Sequence, residues 1–370
     1  MRIPVFDLTR QNKLLENALD SAFHSVLTSG SFILGEEVKQ FEEKIAQYLD
    51  ARFAVGVASG SDALLLSLLA LGIQAGDEVI VPSFTFFATA AAVSRIGAIP
   101  VFVDVSAADY NLDPDQIEVN LTAKTKAIIP VHLFGRPANM AAILQIAKEH
   151  GLAVIEDCAQ SLGAAYDDQP VGTLGDVGCF SFYPHQNLGG LGDGGMVVTN
   201  RADLNEKVRT LRVHGAPRRY YHELLGVNSR LDALQAAFLR VKLPYLNQWI
   251  RARRQIAGNY HEGLKSTSGF KLPALSDDHT FNQFTLVTEW RDELRSFLGE
   301  KEIETAIYYP LPLHLQPIFR SFGYKEGDLP VSEGLSRRAL SLPMFPELGD
   351  SEQNRIIAKI QEFFKKRNSK

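Results

Sequence analysis

Residues 181–195 read Ser-Phe-Tyr-Pro-His-Gln-Asn-Leu-Gly-Gly-Leu-Gly-Asp-Gly-Gly, and no other part of the chain says as much about its architecture. The apolar start predicts the end of a β-strand, and Pro184 with the polar residues after it predicts a turn. The glycines then lead into Met196–Thr199, an apolar run that predicts a returning strand. The stretch therefore predicts two strands joined by a polar, glycine-rich turn.

Length and composition limit the class of protein. The chain has 370 residues, enough for one large and one smaller domain. It is 45% apolar and 22% charged with a net charge of -5, so neither nucleic acid nor an anionic membrane surface is indicated as a partner. We expect no membrane association, because no apolar run reaches the roughly 18 residues of a membrane-spanning helix.

The cysteines and the N-terminal residues indicate the compartment. Cys158 and Cys179 are too few for a disulfide framework and are not spaced as a metal site, which favours two buried, reduced thiols. The start Met1–Asp7 carries an acid early and lacks the long apolar core of a signal peptide. We therefore expect a cytoplasmic protein.

Strands and helices alternate along the chain. Short apolar runs predict strands, and the segments between them predict helices, two of them at 84–96 and 138–150. The predicted strands are 53–57, 79–82, 100–105, 127–132 and 154–155. This alternation implies right-handed crossovers and a mostly parallel, buried sheet, which is an α/β fold.

The second half of the chain predicts a smaller unit. Residues 231–265 predict helix with an interruption near Pro244, and a strand at 281–287 and a helix at 291–300 follow. We expect a large domain at 1–265, with the N-terminal segment included, and a small C-terminal domain at 266–370.

Residues 58–63, Ala-Ser-Gly-Ser-Asp-Ala, open an apolar helix directly after a predicted strand. A helix N-terminus carries unpaired backbone N–H groups and the positive end of the helix dipole, which suits a phosphate. The same residues also fit an ordinary capped helix with Ser61 or Asp62 as the N-cap. The residues alone leave both interpretations open.

Asp157 and Phe86 are further candidates for a ligand site. Asp157 ends a predicted buried strand, at the edge where open α/β sheets bind their ligands. Because a buried carboxylate is costly unless it is paired, Asp157 indicates either a cationic partner or a cap for the next helix. Phe86 follows another strand, and its ring either packs in the core or stacks on a flat ligand.

Residues 181–195 and the run Ile155–Ser161, Ile-Glu-Asp-Cys-Ala-Gln-Ser, together resemble the DegT/DnrJ/EryC1/StrS family of pyridoxal-phosphate (PLP) sugar aminotransferases. Gly60–Ala63, Gly226–Asp232 and Leu340–Pro346 also resemble family motifs, so the resemblance spans nearly the whole chain. It implies a PLP-dependent transferase fold of type I, with a large domain built on a mostly parallel sheet and a small C-terminal α/β domain.

The resemblance also implies roles for single residues. Asp157 would pair with the cofactor ring nitrogen, Phe86 would stack on the ring, and Gln160 would lie near the ring hydroxyl. The residues implied to bind the cofactor phosphate are Gly60, Ser61, Asp62, Ser181 and Asn228.

Substrate and partner follow from the same resemblance. Arg230 would approach the phosphates of a nucleotide sugar, and Tyr308 and His314 would lie in a substrate-side loop. Asn228 would reach the phosphate bound by a neighbouring chain, which implies a homodimer with shared active sites. The implied reaction is amino transfer from glutamate to a keto group of a nucleotide-linked sugar, in polysaccharide or deoxyaminosugar biosynthesis.

Gln186 occupies the position of the family's Schiff-base lysine. Such a lysine holds PLP covalently and then moves the proton during the reaction. An amide nitrogen is not basic, so Gln186 can do neither.

Three explanations stay open for Gln186. The first is an engineered exchange of lysine for glutamine in an otherwise ordinary aminotransferase, made to trap an adduct of cofactor and substrate. The second is an enzyme that holds PLP or pyridoxamine phosphate (PMP) without a covalent bond and uses another base such as His185, as sugar dehydratases of the family use a histidine. The third is a non-catalytic member that binds a ligand or regulates a partner.

Overall fold

Short strands alternate with helices along residues 2–368, the part of the chain that the computed structural model describes. The strands are β1 (Phe53–Val57), β2 (Glu78–Pro82), β3 (Ile99–Val103), β4 (Thr125–Ile128), β5 (Ala153–Asp157), β6 (Ala165–Tyr166), β7 (Gln169–Pro170), β8 (Val177–Ser181), β9 (Gly195–Thr199), β10 (Phe284–Val287) and β11 (Ala339–Leu342). The helices are α1 (Thr9–Leu14), α2 (Glu16–Ser29), α3 (Gly35–Tyr48), α4 (Gly60–Ala70), α5 (Ala88–Arg95), α6 (Met140–His150), α7 (Ala202–Leu211), α8 (Ala233–Lys242), α9 (Leu246–Leu264), α10 (Arg291–Glu300), α11 (Pro330–Arg338) and α12 (Asp350–Asn368).

A seven-stranded sheet forms the centre, in the order β1-β9-β8-β5-β4-β2-β3. The neighbours from β8 to β3 pair in parallel, and β9 runs antiparallel to both β8 and β1. The predicted α/β fold with a mostly parallel sheet is therefore confirmed. Because β1, β2, β5 and β8 point the same way, their carboxyl ends meet at one edge of the sheet.

Helices cover both faces of this sheet. Along β9, Val197 packs in a cluster with α4, α5 and α7, whereas Met196 and Val198 pack in a cluster with α3, α8 and α9. That alternation follows from the two-residue period of a strand. Leucines on nearly every side of α4 are buried, so its axis and its N-terminus are fixed by packing.

The C-terminal region has a smaller core around the antiparallel pair β10 and β11. Residues of α10 and α12 pack there, but so do Ile3 and four residues of α9, namely Ile256, Ala257, Tyr260 and Leu264. Segments before residue 265 thus share this core. The division into domains at residue 265 stays a prediction.

The start of α5 shows the largest difference from a predicted helix boundary. Residues 84–96 were predicted as one helix, but α5 begins only at Ala88. The four residues before it form an irregular connection after β2 that buries Phe84 and leaves Phe86 exposed. An apolar run after a strand does not show how many residues the connection needs, so periodicity placed the helix start too early.

Within residues 2–368, none of the helices combines the length and the apolar character that crossing a membrane requires. Both cysteines are free and buried, as the sequence predicted.

His279, which precedes β10, is a buried neutral histidine. Its side chain is 2% exposed, its ring stacks on Phe281 at 3.8 Å, and Nδ1 accepts a hydrogen bond of 2.9 Å from the Phe281 N–H. Burial, helped by the nearby Arg136, lowers the pKa of His279 to about 3. Below about pH 6.5 the unfolded chain therefore binds a proton at this residue, whereas His279 in the folded chain stays unprotonated until the pH approaches 3.

We expect His279 to make the folded protein less stable as the pH falls below 6.5. Between pH 7 and pH 5 its contribution is a loss of about 2 kcal/mol in the free energy of unfolding. His279→Asn keeps an acceptor for the Phe281 N–H and should flatten this part of the pH dependence, measured by urea unfolding at both pH values. The exposed His150→Asn is the control. An unchanged slope in His279→Asn would contradict the assignment.

Candidate functional site

The site forms where the ends of β5 and β8 meet the N-terminus of α4. Asp157 ends β5 and Ser181 ends β8, and the two strands pair in parallel. A Cβ added at Gly60 would lie 2.7 Å from the Ser181 Cβ, closer than real Cβ atoms approach. Glycine at this position thus lets the helix N-terminus approach Ser181, so the structure brings two of the predicted phosphate residues together.

The N-terminus of α4 is capped, but not by the predicted residues. Ser59 is the N-cap, and its Oγ accepts a hydrogen bond of 3.1 Å from the Asp62 N–H. The prediction of Ser61 or Asp62 as N-cap is wrong, because the helix already begins at Gly60. No described residue accepts a hydrogen bond from the N–H of Gly60 or Ser61. Two free donors at a helix N-terminus suit a phosphate.

Asp157 is a carboxylate with little compensation from the protein. Its side chain is 6% exposed. Burial raises its pKa, whereas hydrogen bonds from the Thr89 hydroxyl at 2.9 Å and the Ala159 N–H at 3.2 Å lower it in part. No lysine or arginine among residues 2–368 forms an ion pair with it. The group therefore suits a ligand that brings a positive charge or a strong donor.

The buried pair His132 and Glu156 supports the end of β5. The Glu156 oxygens accept from His132 Nε2 at 3.0 Å and from the backbone N–H groups of residues 172, 174 and 175. Because His132 Nδ1 accepts from the Ala138 N–H, its Nε2 carries the proton. Although Cys158 lies close enough to complete a ligand triad, these bonds occupy the histidine and the carboxylate. The group supports the strand end.

Phe86 and Tyr309 form an aromatic wall. Phe86 is 58% exposed, and its ring centroid lies 6.1 Å from that of Tyr309. Gln160 Nε2 donates to the Tyr309 hydroxyl at 3.0 Å, and Gln160 Oε1 accepts from the Phe134 N–H at 2.7 Å. The exposed face of Phe86 can thus stack on a flat ring, as predicted from the family resemblance.

Sequence reasoning selected Tyr308 and missed Tyr309. Both rings are half-buried, with centroids 5.8 Å apart, but Tyr309 is the one that contacts Gln160 and Phe86. In an irregular segment nothing in the sequence shows which of two adjacent tyrosines faces the site. Thr89 was missed for a related reason, since its bond to Asp157 spans 68 positions of the chain.

His314 does not face an open surface. Its side chain is 1% exposed. Nδ1 lies 2.6 Å from the Ser83 hydroxyl and Nε2 lies 3.2 Å from Glu333 Oε1. The prediction that His314 contacts the substrate is therefore corrected, because both ring nitrogens are occupied inside the protein.

Gln186 lies on a turn, and the Gln186 backbone N–H donates to the Tyr183 carbonyl at 2.9 Å. Its Oε1 atom is buried and accepts a hydrogen bond from no described residue. This oxygen is therefore free to accept a hydrogen bond from a ligand.

The turn that carries Gln186 is supported from inside. Asn187 is buried and donates to the Leu162 carbonyl and the Thr280 hydroxyl. The fully buried Lys242 donates to the Gly189 carbonyl at 3.0 Å, and burial lowers the pKa of Lys242 to about 8. Sequence reasoning missed Lys242, which is 56 positions from Gln186, because a helical lysine is usually solvated.

His185 turns toward the N-terminal segment. Its ring stacks on Phe6 with centroids 4.4 Å apart and contacts Tyr183 edge to face at 5.4 Å. Partial burial lowers the pKa of His185. In the described part of the chain, no hydrogen bond joins its ring to Asp157 or Gln160. A catalytic role for His185 stays a prediction that these contacts do not support.

Asn228 and Arg230 line a cavity of about 820 Å³ together with Ser59 and Asp193. Between them, the Ser229 hydroxyl accepts a hydrogen bond of 3.1 Å from the Ala58 N–H, just before α4. Both residues therefore lie beside the N-terminus of α4 in their own chain. Their predicted contact with a second chain stays a prediction.

Comparisons with known proteins agree with this geometry. The family model described as DegT/DnrJ/EryC1/StrS aminotransferase family matches residues 14–361. The chain is 50% identical over 369 residues to the "pleiotropic regulatory protein" of Geobacillus stearothermophilus, covering 99% of both chains. It is 47% identical to the UDP-N-acetyl-3-dehydro-alpha-D-glucosamine 3-aminotransferase of Acidithiobacillus ferrooxidans, covering 97% of both. A solved structure of S. venezuelae DesV in complex with a ketimine intermediate matches with a TM-score of 0.95 at 44% identity, covering 98% of both.

These findings confirm the fold of type I and the cofactor, PLP or PMP. The described residues fit such a group. The free N–H donors at Gly60 and Ser61 suit its phosphate, Asp157 suits its ring nitrogen, and the orphaned Gln186 oxygen suits a donor.

We expect Gly60→Ala to weaken PLP binding by at least about tenfold, the effect of losing one charge-assisted hydrogen bond. The added methyl group would push α4 away from Ser181 and open the phosphate site. Absorbance titration with PLP gives the dissociation constant.

Gly258→Ala is the matched control, because a Cβ at Gly258, on α9, meets no atom within 4 Å. It should leave PLP binding unchanged and stabilise the fold by roughly 0.5–1 kcal/mol. Equal PLP affinities for the two variants would contradict this placement of the phosphate.

Proposed function

The chain belongs to the DegT/DnrJ/EryC1/StrS aminotransferase family, and on this basis we propose that it holds PLP or PMP without a covalent bond and acts on a nucleotide-linked ketosugar. Glutamate would be the amino donor, and the pathway would be polysaccharide or deoxyaminosugar biosynthesis. The supporting observation is Asp157, a buried carboxylate without a cation, beside the free N–H groups of α4. The similarity to a nucleotide-sugar aminotransferase supports the substrate class.

Binding and orientation are the tasks that this chain's residues perform. The N–H groups of Gly60 and Ser61 and the Ser181 hydroxyl would bind the phosphate. The Asp62 N–H is already bonded to the N-cap Ser59, and the Asp62 carboxylate has the same sign of charge as a phosphate, so Asp62 would not contact the phosphate directly. Phe86 would cover one ring face, and Asp157 would keep the proton on the ring nitrogen. The bound cofactor supplies the electron sink and carries the amino group.

Proton transfer is the task for which the site is least equipped. Gln186 has no basic nitrogen. Burial raises the pKa of the Tyr309 phenol, so Tyr309 stays protonated and does not serve as a base. Lys242 is bound to the Gly189 carbonyl, beneath the turn. We therefore propose that turnover by this chain is slow at the proton-transfer step.

A second candidate function is ligand binding or regulation without turnover. Gln186 favours it, and so does the 50% identical relative whose name is a pleiotropic regulatory protein. The dehydratase alternative, with His185 as base, has less support, because the His185 ring packs on Phe6.

We also propose a homodimer with shared active sites. Phe32, Ile33 and Leu225 are exposed apolar side chains, Leu225 at 95%, and Ile33 also lines the cavity that contains Asn228 and Arg230. A second copy of the chain would cover this surface. Asn228 would then complete the phosphate site of the partner, and Arg230 would approach the nucleotide phosphates.

A cytoplasmic location fits this proposal. Cys158 and Cys179 are free and buried, which suits a reducing compartment.

We expect Gln186→Lys to raise amino transfer from glutamate to a UDP- or dTDP-linked 3-ketosugar by about 10²–10⁴-fold, the usual effect of a positioned acid–base group. The aminated sugar would be quantified by mass spectrometry. Gln145→Lys, at an exposed position on α6, is the control for adding a lysine and should not change the rate.

Two results would contradict the proposal. If the chain as it stands matches the Gln186→Lys rate, another group moves the proton. If Gln186→Lys binds PLP and sugar but forms no amine, the regulatory function is favoured.

We expect shared sites to appear in a mixing experiment. Asp157→Asn and Asn228→Ala homodimers should each bind PMP weakly. After dissociation and random reassociation, about one quarter of all sites would be intact, since each mixed dimer has one undamaged site. Equilibrium dialysis measures this stoichiometry. If Asn228 acts within its own chain, mixing would restore no tight sites.

A further inference from the structure

The amide oxygen of Gln186 is a buried acceptor beside the candidate site. Oε1 is shielded from solvent and receives no hydrogen bond from any residue of the described chain. A buried acceptor left in this state costs free energy, so it persists only where something else determines the residue. A ligand that brings a donor to Oε1 would remove that cost.

The turn gives Gln186 little freedom to find a donor by moving. Asn187 makes three side-chain hydrogen bonds, to the Leu162 carbonyl, Thr280 and Asn282. The Gly189 carbonyl is held by Lys242, and a Cβ at Gly189 would lie 2.1 Å from the Pro184 oxygen. The backbone around Gln186 is therefore fixed, and a ligand at this place can bring the donor that Oε1 lacks.

The two forms of the cofactor differ at the group that would meet this side chain. The side chain at this position starts where the family places the lysine that reaches the cofactor. PLP carries an aldehyde there, and its oxygen only accepts hydrogen bonds. PMP carries an ammonium group, whose three N–H bonds only donate. An amide oxygen complements the ammonium and repels the aldehyde oxygen.

We propose that Gln186 selects the amine form of the cofactor, with Oε1 accepting a charge-assisted hydrogen bond from the PMP ammonium group. The chain would then bind ready-made PMP in preference to PLP. This inference rests on the proposed cofactor site and adds to it the form in which the cofactor is held. It applies equally to a slow aminotransferase and to a regulatory protein that senses the amine form.

The test is the ratio of dissociation constants for PLP and PMP, measured on the full chain by equilibrium dialysis without any sugar. We expect PMP to bind at least about tenfold more tightly than PLP, the effect of one hydrogen bond to a charged group. Gln186→Leu keeps the size and removes the acceptor, so the ratio should fall toward one. Gln186→Glu keeps an acceptor and adds a negative charge, so the preference for PMP should increase.

Asn12→Leu is the matched control, because Asn12 on α1 also has a buried amide oxygen without a donor, outside the site. It should leave the ratio unchanged. A ratio that is the same in the native chain and in Gln186→Leu would overturn the inference while leaving the cofactor site intact, and so would a native preference for PLP. Failure of both PLP and PMP to bind would overturn the proposed function as well.

Discussion

The buried carboxylate of Asp157 explains more of this site than any other group. It lies at the carboxyl end of β5, receives one hydroxyl and one backbone hydrogen bond, and has no cationic partner in residues 2–368. Such a group is costly in the folded protein unless a ligand compensates it. The elements around it suit one kind of ligand, since α4 presents free N–H groups to a phosphate and Phe86 presents a ring face to a flat heterocycle.

If Gln186 stands where the family has its lysine, as we propose, it changes one function of this site and leaves the framework in place. The turn beneath it is still held by Asn187 and Lys242, and the phosphate cradle at Gly60 is still closed against Ser181. A lysine at this position would both retain the cofactor and move the proton. In a framework that is complete except for a base, these two properties are separated. A site of this kind can keep a cofactor and a sugar in place while the chemical step is slow, which is also what a binding or regulatory protein requires.

The parts that the sequence predicted are those with a local signal. Alternating apolar runs predicted the parallel sheet, and the runs around Asp157 and Gln186 predicted the family. What the sequence missed depends on contacts between distant segments. Thr89 meets Asp157, Lys242 meets Gly189, and His314 is enclosed by Ser83 and Glu333, none of which leaves a pattern in one sequence. The start of α5 and the choice between Tyr308 and Tyr309 were missed because irregular backbone has no period.

The most direct test of whether the cofactor is held without a covalent bond is intact-mass analysis of the chain after adding PLP and reducing with borohydride. Borohydride fixes any Schiff base as a stable phosphopyridoxyl amine on the lysine that formed it. We predict that the native chain keeps its unmodified mass while PLP binds and is removed by dialysis. A stoichiometric adduct on a single lysine, above all on the buried Lys242 with its lowered pKa, would contradict this and show that another amine has taken over the position of Gln186.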